Sequence, residues 1–242
     1  MTILNNFLFI ALPYIALIVF LIGTIYRYKS KKFKYSSLSS EFLEGRKLFW
    51  GSVPFHYGIV FLFFGHLTAF LFPREVLLWN SHPVRLLILE VTAFIFGITT
   101  FVGLIHLFIR RKTNPRVQMV TNKMDLIIEV LLIAEIFLGL WIAYGYRWGS
   151  SWFASILSPY LISVFTLNPQ IEPIINLPLV IQLHIATAFL IVLLIPFSRL
   201  VHFLVFPLSY LWRPYQKVIW NWNRKKVRNP RSVWSVNKSR NN

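Results

Sequence analysis

Five apolar stretches dominate this sequence and constrain its fold more than any other feature. They lie near residues 3–26, 53–72, 84–109, 124–146 and 178–206. The hydrocarbon core of a bilayer is about 30 Å thick, and a helix of roughly 20 apolar residues crosses it. In lipid, a helix satisfies its own backbone hydrogen bonds. The sequence therefore predicts an all-α protein, an integral bundle of five transmembrane helices in the cell membrane.

Local sequence adds three details to this bundle. The first stretch lacks a preceding basic region and an A-x-A cleavage site, so we interpret it as a retained span rather than a signal peptide. Pro196 is expected to bend the long fifth stretch. The loop between the fourth and fifth stretches contains SWFASILSPYLISVF (151–165), which we expect to lie as an amphipathic helix on the outer surface.

Positive charge is concentrated between the apolar stretches and at the C-terminal end. The chain carries 25 Lys and Arg against 8 Asp and Glu, a formal net charge of +17. Twenty-one of the basic residues lie in 27–52, in 110–123 and after residue 206, whereas three lie in the loops on the opposite side. Cytoplasmic loops carry the excess of Lys and Arg in membrane proteins. This distribution predicts an N-terminus outside the cell and a C-terminus in the cytoplasm.

The chain is expected to divide into a five-helix membrane domain, 1–210, and a basic cytoplasmic tail, 211–242. The tail interleaves aromatic residues with Lys and Arg. Basic clusters beside a membrane bind anionic lipid, so we favour lipid over nucleic acid as the partner of the tail. A docking surface for a cytoplasmic protein fits the same residues equally well.

The absence of cysteine narrows the redox chemistry that this chain can support. Without cysteine it forms no disulfide, holds no iron–sulfur cluster on thiolates and attaches no c-type haem covalently. A redox centre would have to be held by histidine or methionine, of which the chain has six and three.

Four histidines lie inside the predicted spans, where ionisable residues usually mark function. His56 and His66 lie in the second span, and His184 and His202 lie in the fifth. The two spans cross the membrane in opposite directions, so His56 is level with His202 near the cytoplasmic face. His66 is then level with His184 near the outer face, because a helix rises about 1.5 Å per residue.

Two histidine pairs at different depths fit two b-type haems stacked across the membrane. Bis-histidine ligation places one imidazole on each side of the iron, and Gly58 and Gly65 would let flat macrocycles approach the backbone. The alternative for each histidine is a hydrogen-bonded packing role. The pairs lie too far apart to give one zinc ion three or four ligands. His82 and His106 have no evident paired partner and are interpreted as interfacial or packing residues.

The fifth span carries a specific motif. HIATAFLIVLLIPFSRLVHFLVFPLSYLWRPYQ (184–216) combines a histidine, an apolar run and P-F-S-R-L-x-H, and it resembles the end of the gamma subunit of respiratory nitrate reductase, a membrane cytochrome b. FHYGIVFLFFGH (55–66) resembles the second span of that family, and NPRVQMVTNKMD (114–125) its third inner loop. The likeness runs from about residue 3 to 216.

The resemblance implies two haem b groups, the inner one held by His56 and His202 and the outer one by His66 and His184. It suggests that Arg199 neutralises a propionate of the inner haem, the alternative being an arginine that extends to the lipid headgroups. Quinol from the membrane pool would be oxidised near the outer haem. Electrons would pass inward to an iron–sulfur (beta) subunit and then to a molybdenum (alpha) subunit that reduces nitrate in anaerobic respiration.

The resemblance also implies a quinol site beside the outer haem. The family has a basic residue just before the third span, commonly lysine, and the nearest match here is Arg85. We assign the pocket to Gly65, Arg85 and Glu90. Glu90 lies about one helical turn into the third span, where its carboxylate could act as the catalytic acceptor of a quinol proton. The alternative is a salt bridge to Arg85 that fixes the loop.

Two other functions stay open from the sequence alone. A related di-haem cytochrome b of a sulfur-metabolism or heterodisulfide-reductase-like complex would share the haem layout and differ in its soluble partner. A haem-free membrane anchor or assembly protein would bind no haem at all.

Overall fold

The five apolar stretches form five helices of membrane length in the computed structural model, which describes residues 2–30 and 46–204. These helices, called spans 1 to 5, are Ile3–Ser30, Lys47–Leu71, Pro83–Thr113, Lys123–Gly145 and Leu179–Phe197. Within the described ranges there is no β-strand. The all-α class and the number of spans are confirmed, and the chain is a multi-pass membrane protein. The predicted tail, 211–242, lies outside the described residues.

Two spans have interruptions or boundaries that hydropathy alone does not reveal. Span 1 contains a π-helical turn, Phe7–Ala11, between the α-helices Thr2–Asn6 and Leu12–Ser30. The helix of span 2 runs Arg46–Leu71 and continues through Pro54, so it begins before the expected residue 53. Membrane helices tolerate such a proline because neighbouring groups satisfy the carbonyl that it leaves without a donor.

Shorter helices connect the spans, and two of the connections are fixed by side-chain caps. Asn114 accepts hydrogen bonds from the backbone of Arg116 and Val117. Asn122 and Asp125 form a reciprocal capping box at the start of span 4, which satisfies backbone donors that a helix end leaves open. The connecting helical segments are Pro73–Asn80, Pro115–Met119, Gly149–Trp152, Phe153–Leu157, Ser158–Phe165 and Glu172–Ile175.

Spans 2 and 3 pack closely because glycines lie at their contact. A Cβ atom on Gly103 would come 2.6 Å from the backbone nitrogen of Phe55, and one on Gly58 would overlap the hydroxyl oxygen of Thr100. Small residues let membrane helices approach in this way. Gly58 therefore serves helix packing against span 3, and that it lets a macrocycle approach the backbone stays a prediction.

The outer segment, residues 149–165, packs into the bundle instead of lying on its surface as one amphipathic helix. The Tyr160 hydroxyl donates to the carbonyl of Phe9 at 2.8 Å, and the Ser158 hydroxyl donates to the carbonyl of Ala69 at 2.9 Å. Burial raises the pKa of Tyr160, so the hydroxyl stays a neutral donor. These contacts join the outer segment to spans 1 and 2, and a core cluster joins it to spans 4 and 5.

Span 5 is broken near its end. Its α-helix, Leu179–Leu194, passes into a 3₁₀ turn, Ile195–Phe197, and a second 3₁₀ segment, Arg199–Leu204, follows Ser198. Ser198 itself is extended. The expected bend at Pro196 is thus an interruption of the helix. A continuous helix through the described part of this stretch, up to residue 204, is not what the chain adopts.

Arg27 of span 1 stabilises this break. Its Nη1 donates to the carbonyls of Pro196 and Ser198, each at 2.6 Å. Interrupting a helix leaves carbonyls without intrahelical donors, and in a membrane such groups require another partner. Arg27 supplies that partner from a different span, so it fixes the position from which the segment carrying His202 begins.

Candidate functional site

The structure brings His56 and His202 together as one pair, called the inner pair. Their ring centroids lie 6.2 Å apart with an angle of 66° between the ring planes. Imidazole nitrogens bind transition metals at about 2 Å, so two imidazoles on opposite sides of one metal have centroids roughly 6 Å apart. The separation matches that requirement, and it arises even though span 5 is broken between its two histidines.

The inner pair has the tautomer that metal ligation needs. The Nδ1 of His56 lies 2.7 Å from the carbonyl oxygen of Ser52, and the Nδ1 of His202 lies 2.8 Å from that of Arg199. A carbonyl can only accept, so each Nδ1 carries the proton. Each Nε2 then keeps the lone pair that binds a metal, and the carbonyl fixes the orientation of the ring.

A cavity of about 340 Å³ adjoins the inner pair, lined by residues from spans 2 to 4 and from the segment Arg199–Leu204. Both histidines line it, together with a set of charged side chains: Arg110, Arg111, Asp125, Glu129 and Arg199. Asp125 and Glu129 are buried, and buried charges require partners. This cavity therefore combines an apolar interior with a charged end, as a flat group with acidic substituents would need.

Arg199 lies at this charged end. Its Nε is 3.0 Å from Oδ1 of Asp125, and its Nη2 donates to the carbonyl of Val120 at 2.6 Å. Arg111 pairs with Glu129 at 2.7 Å and reaches Asp125 at 3.6 Å. The guanidinium of Arg199 thus ties span 4 to the broken end of span 5. That Arg199 neutralises a haem propionate stays a prediction.

The second predicted pair, called the outer pair, consists of His66 in span 2 and His184 in span 5. The Nδ1 of His66 bonds the carbonyl of Leu62 at 2.8 Å, and its ring packs edge-on against Phe153 at 5.2 Å. The Nδ1 of His184 lies 3.1 Å from the Oε1 of Glu135, but this contact lacks the geometry of a hydrogen bond. The carbonyl bond of His66 again leaves its Nε2 available.

The residues assigned to the quinol pocket lie around the outer part of spans 2 and 3. Gly65 faces open space, because a Cβ atom there would meet nothing within 4 Å. Arg85 lies over the ring of Trp79 at 5.4 Å. Glu90 accepts from the backbone nitrogen of Ser150 at 2.8 Å and from its hydroxyl at 2.6 Å. The alternative of a Glu90–Arg85 salt bridge is not formed in the described chain, since Glu90 binds the outer segment instead.

Three acidic residues near the histidines were missed by the sequence reasoning: Asp125, Glu129 and Glu135. The available signal was their position, because all three belong to the otherwise apolar span 4 and ionisable residues inside spans are rare.

His82 and His106 have no histidine partner among residues 2–30 and 46–204. In those ranges no group of three or more His, Cys, Asp or Glu is arranged to hold a metal ion; that the four paired histidines ligate haem iron stays a prediction.

Comparison with known proteins shows the family to which the chain belongs. A family model for the nitrate reductase gamma subunit matches residues 5–221. The respiratory nitrate reductase 2 gamma chain of Escherichia coli is 33% identical over 219 residues, which cover 89% of this chain and 96% of that protein. The nitrate reductase gamma chain of Bacillus subtilis is 29% identical over 213 residues, 84% of this chain and 93% of that one.

A third relative is longer. The nitrate reductase-like protein NarX of Mycobacterium tuberculosis is 31% identical over 221 residues, which cover 84% of this chain but 32% of NarX. The chain thus spans about a third of that relative and nearly the whole length of the two gamma chains. On the match over residues 5–221, the chain belongs to the nitrate reductase gamma subunit family.

Proposed function

We propose that this chain is the di-haem b membrane subunit of a respiratory quinol:nitrate oxidoreductase. Quinol is oxidised near the outer face, and electrons pass through two stacked haems to an iron–sulfur subunit on the cytoplasmic side. A molybdenum subunit then reduces nitrate. The observation that carries the proposal is the inner pair, His56 and His202, whose rings are 6.2 Å apart with both Nδ1 atoms bonded to carbonyls.

The two histidine pairs of this chain would bind one haem each, at the two ends of the bundle. The inner pair would hold one haem b, and His66 and His184 would hold the other. When bound, haem b would supply one-electron transfer, and the four histidines would hold it. The carbonyls that accept from the Nδ1 atoms of His56, His66 and His202 would fix the orientation of these rings.

At the outer end, Gly65, Arg85 and Glu90 form the proposed quinol pocket. Arg85 would orient a quinol oxygen by donating a hydrogen bond. The Glu90 carboxylate would take one proton from the quinol hydroxyl, with Ser150 holding the other side of the carboxylate in place. The opening beside Gly65 leaves room for a flat ring to lie against the backbone.

Oxidation and reduction of haem in membranes that contain the complete complex test this function. A reduced quinone analogue should produce the absorbance of reduced b-type haem. Nitrate added afterwards should re-oxidise the haem and remove this absorbance. The sulfur-metabolism alternative predicts reduction by quinol and no oxidation by nitrate. The haem-free anchor predicts no b-type absorbance in the purified chain.

The partner assignment has its own test. The inner loops and the tail 211–242 are proposed to bind the iron–sulfur subunit, since electrons must leave on the cytoplasmic side. Truncation after about residue 210 should release the soluble subunits from the membrane with the haem spectrum largely unchanged. Retention of the complete complex would assign the tail to lipid binding alone.

A further inference from the structure

Glu135 gives His184 an environment that the other three paired histidines lack. The Nδ1 atoms of those three bond neutral backbone carbonyls, whereas the Nδ1 of His184 lies 3.1 Å from the Oε1 of Glu135. Glu135 lies in span 4 and His184 in span 5, so the contact joins two helices. A carboxylate partner differs from a carbonyl because it carries a full negative charge next to the ligand.

The side chain of Glu135 is poorly compensated by the protein itself. Its carboxylate is 17% exposed, and its second oxygen, Oε2, is buried without a hydrogen-bond partner among the described residues. Among the described residues, no Lys or Arg forms an ion pair with Glu135. Asp125 and Glu129, in contrast, each pair with an arginine. A carboxylate inside a membrane span is costly, so the structure leaves its compensation to His184 and to whatever His184 binds.

Span 4 contacts the ring of His184 at a second point one helical turn further on. A Cβ atom on Gly139 would lie 3.2 Å from the Cε1 of His184. Residues four apart share one face of a helix, so Glu135 lies beside Nδ1 while Gly139 leaves space for the adjacent ring edge. Together they limit the position and the tilt of this imidazole.

Resting on the di-haem function proposed above, we propose that Glu135 is the positioning residue of the outer haem ligand and lowers the reduction potential of the outer haem. A carboxylate beside Nδ1 raises the basicity of a histidine ligand. Its negative charge in a low-dielectric interior also favours the ferric iron, which carries one more positive charge than the ferrous iron. Both effects stabilise the oxidised form.

Redox titration of the haem absorbance in the complete membrane complex tests this role with the isosteric variant Glu135→Gln. The variant keeps the size and shape of the side chain and removes its charge. At a fixed ambient potential, the ratio of reduced to oxidised outer haem should rise at least about tenfold, which is about 59 mV for one electron. The inner haem should titrate as in the unaltered protein. An unchanged outer potential overturns the proposal.

Three further variants keep the result decisive. Glu129 lies on the same span but lines the inner cavity. Glu129→Gln should therefore change the reduction potential of the inner haem and leave that of the outer haem unchanged. Glu135→Asp retains the charge and should keep the low outer potential. Gly139→Ala should alter the electron paramagnetic resonance signal of the outer haem by tilting its ligand. If Glu135→Gln and Glu135→Asp both lose the outer haem, Glu135 is a packing requirement and the tuning role is wrong.

These outcomes are separable from a failure of the proposed function. Absence of haem from the unaltered chain contradicts the di-haem function itself. Two normal haems with an outer potential that does not respond to Glu135→Gln contradict only the role assigned to Glu135.

Discussion

His56 and His202 face each other at a centroid distance of 6.2 Å even though the α-helix of span 5 ends at Leu194, before His202. The pair therefore depends on contacts that hold the broken end of span 5 in place. Arg27 provides two of them through the carbonyls of Pro196 and Ser198. A residue of span 1, far from either imidazole in sequence, thus contributes to the geometry of the inner pair.

Replacing Arg27 by leucine should destabilise the inner pair more than the outer pair. Two carbonyls lose a charged donor, and a lost hydrogen bond to a charged group costs about 2 kcal/mol. We expect a lower thermal midpoint in detergent and loss of the inner haem before the outer one on heating. Arg74→Leu, in the short helix Pro73–Asn80, is the matched control. Simultaneous loss of both haems would contradict this account.

Gly58 and Gly65 offer a matched pair of alanine substitutions in one helix. A Cβ on Gly58 overlaps Thr100 across the contact with span 3, whereas one on Gly65 enters open space. Gly58→Ala should therefore lower the free energy of unfolding by about 1–3 kcal/mol through overpacking. Gly65→Ala should leave stability unchanged and slow quinol-driven haem reduction. Equal destabilisation by both variants would show that residue 65 is packed and does not line a pocket.

Arg199 should influence the inner haem through its charge. Arg199→Leu removes a cation from the charged end of the inner cavity, which favours the oxidised form of a nearby haem, so the inner potential should fall. The buried Asp125, 3% exposed, also loses a partner at 3.0 Å, so the thermal midpoint should fall as well. Arg199→Lys keeps the positive charge, so the inner haem potential should fall less than in Arg199→Leu. Lower stability with an unaltered inner potential would assign Arg199 to the Asp125 ion pair alone.

Glu90 and Ser150 allow the proposed proton acceptor to be distinguished from a structural contact. Glu90→Gln removes the basic oxygen, while Ser150→Ala removes one of the two hydrogen bonds that hold it. Quinol-driven haem reduction should slow strongly in Glu90→Gln and only weakly in Ser150→Ala. Reduction of the haems by an artificial donor should be normal in both. Equal slowing in the two variants would limit Glu90 to anchoring the outer segment.

Much of the fold follows from hydropathy, because a bilayer admits few alternatives to a helix. The depth of the histidines along span 2 also follows from helical rise. The side of span 5 on which His202 lies does not follow from helical geometry. The α-helix ends before Pro196, and 3₁₀ turns on either side of Ser198 replace its regular rotation. That His202 nevertheless meets His56 depends on long-range contacts such as those of Arg27, which local sequence does not encode.

The surroundings of the site were less predictable than its histidines. The outer segment has the composition of a surface helix, yet Tyr160 and Ser158 bond carbonyls of spans 1 and 2 and pull it into the bundle. Glu135 could have been singled out as a charge within an apolar span. Its partner could not, because the contact with His184 depends on how spans 4 and 5 are rotated against each other.

The central claim is that the four histidines act as two ligand pairs, and haem content per chain tests it most directly. Purified complex should contain two b haems per chain, and alanine at any one of the four positions should leave one. His56→Ala and His202→Ala should lose the same haem, and His66→Ala and His184→Ala the other, while His106→Ala keeps both. Two low-spin haems retained in any of the four variants, or different haems lost by the two members of a pair, would contradict the account.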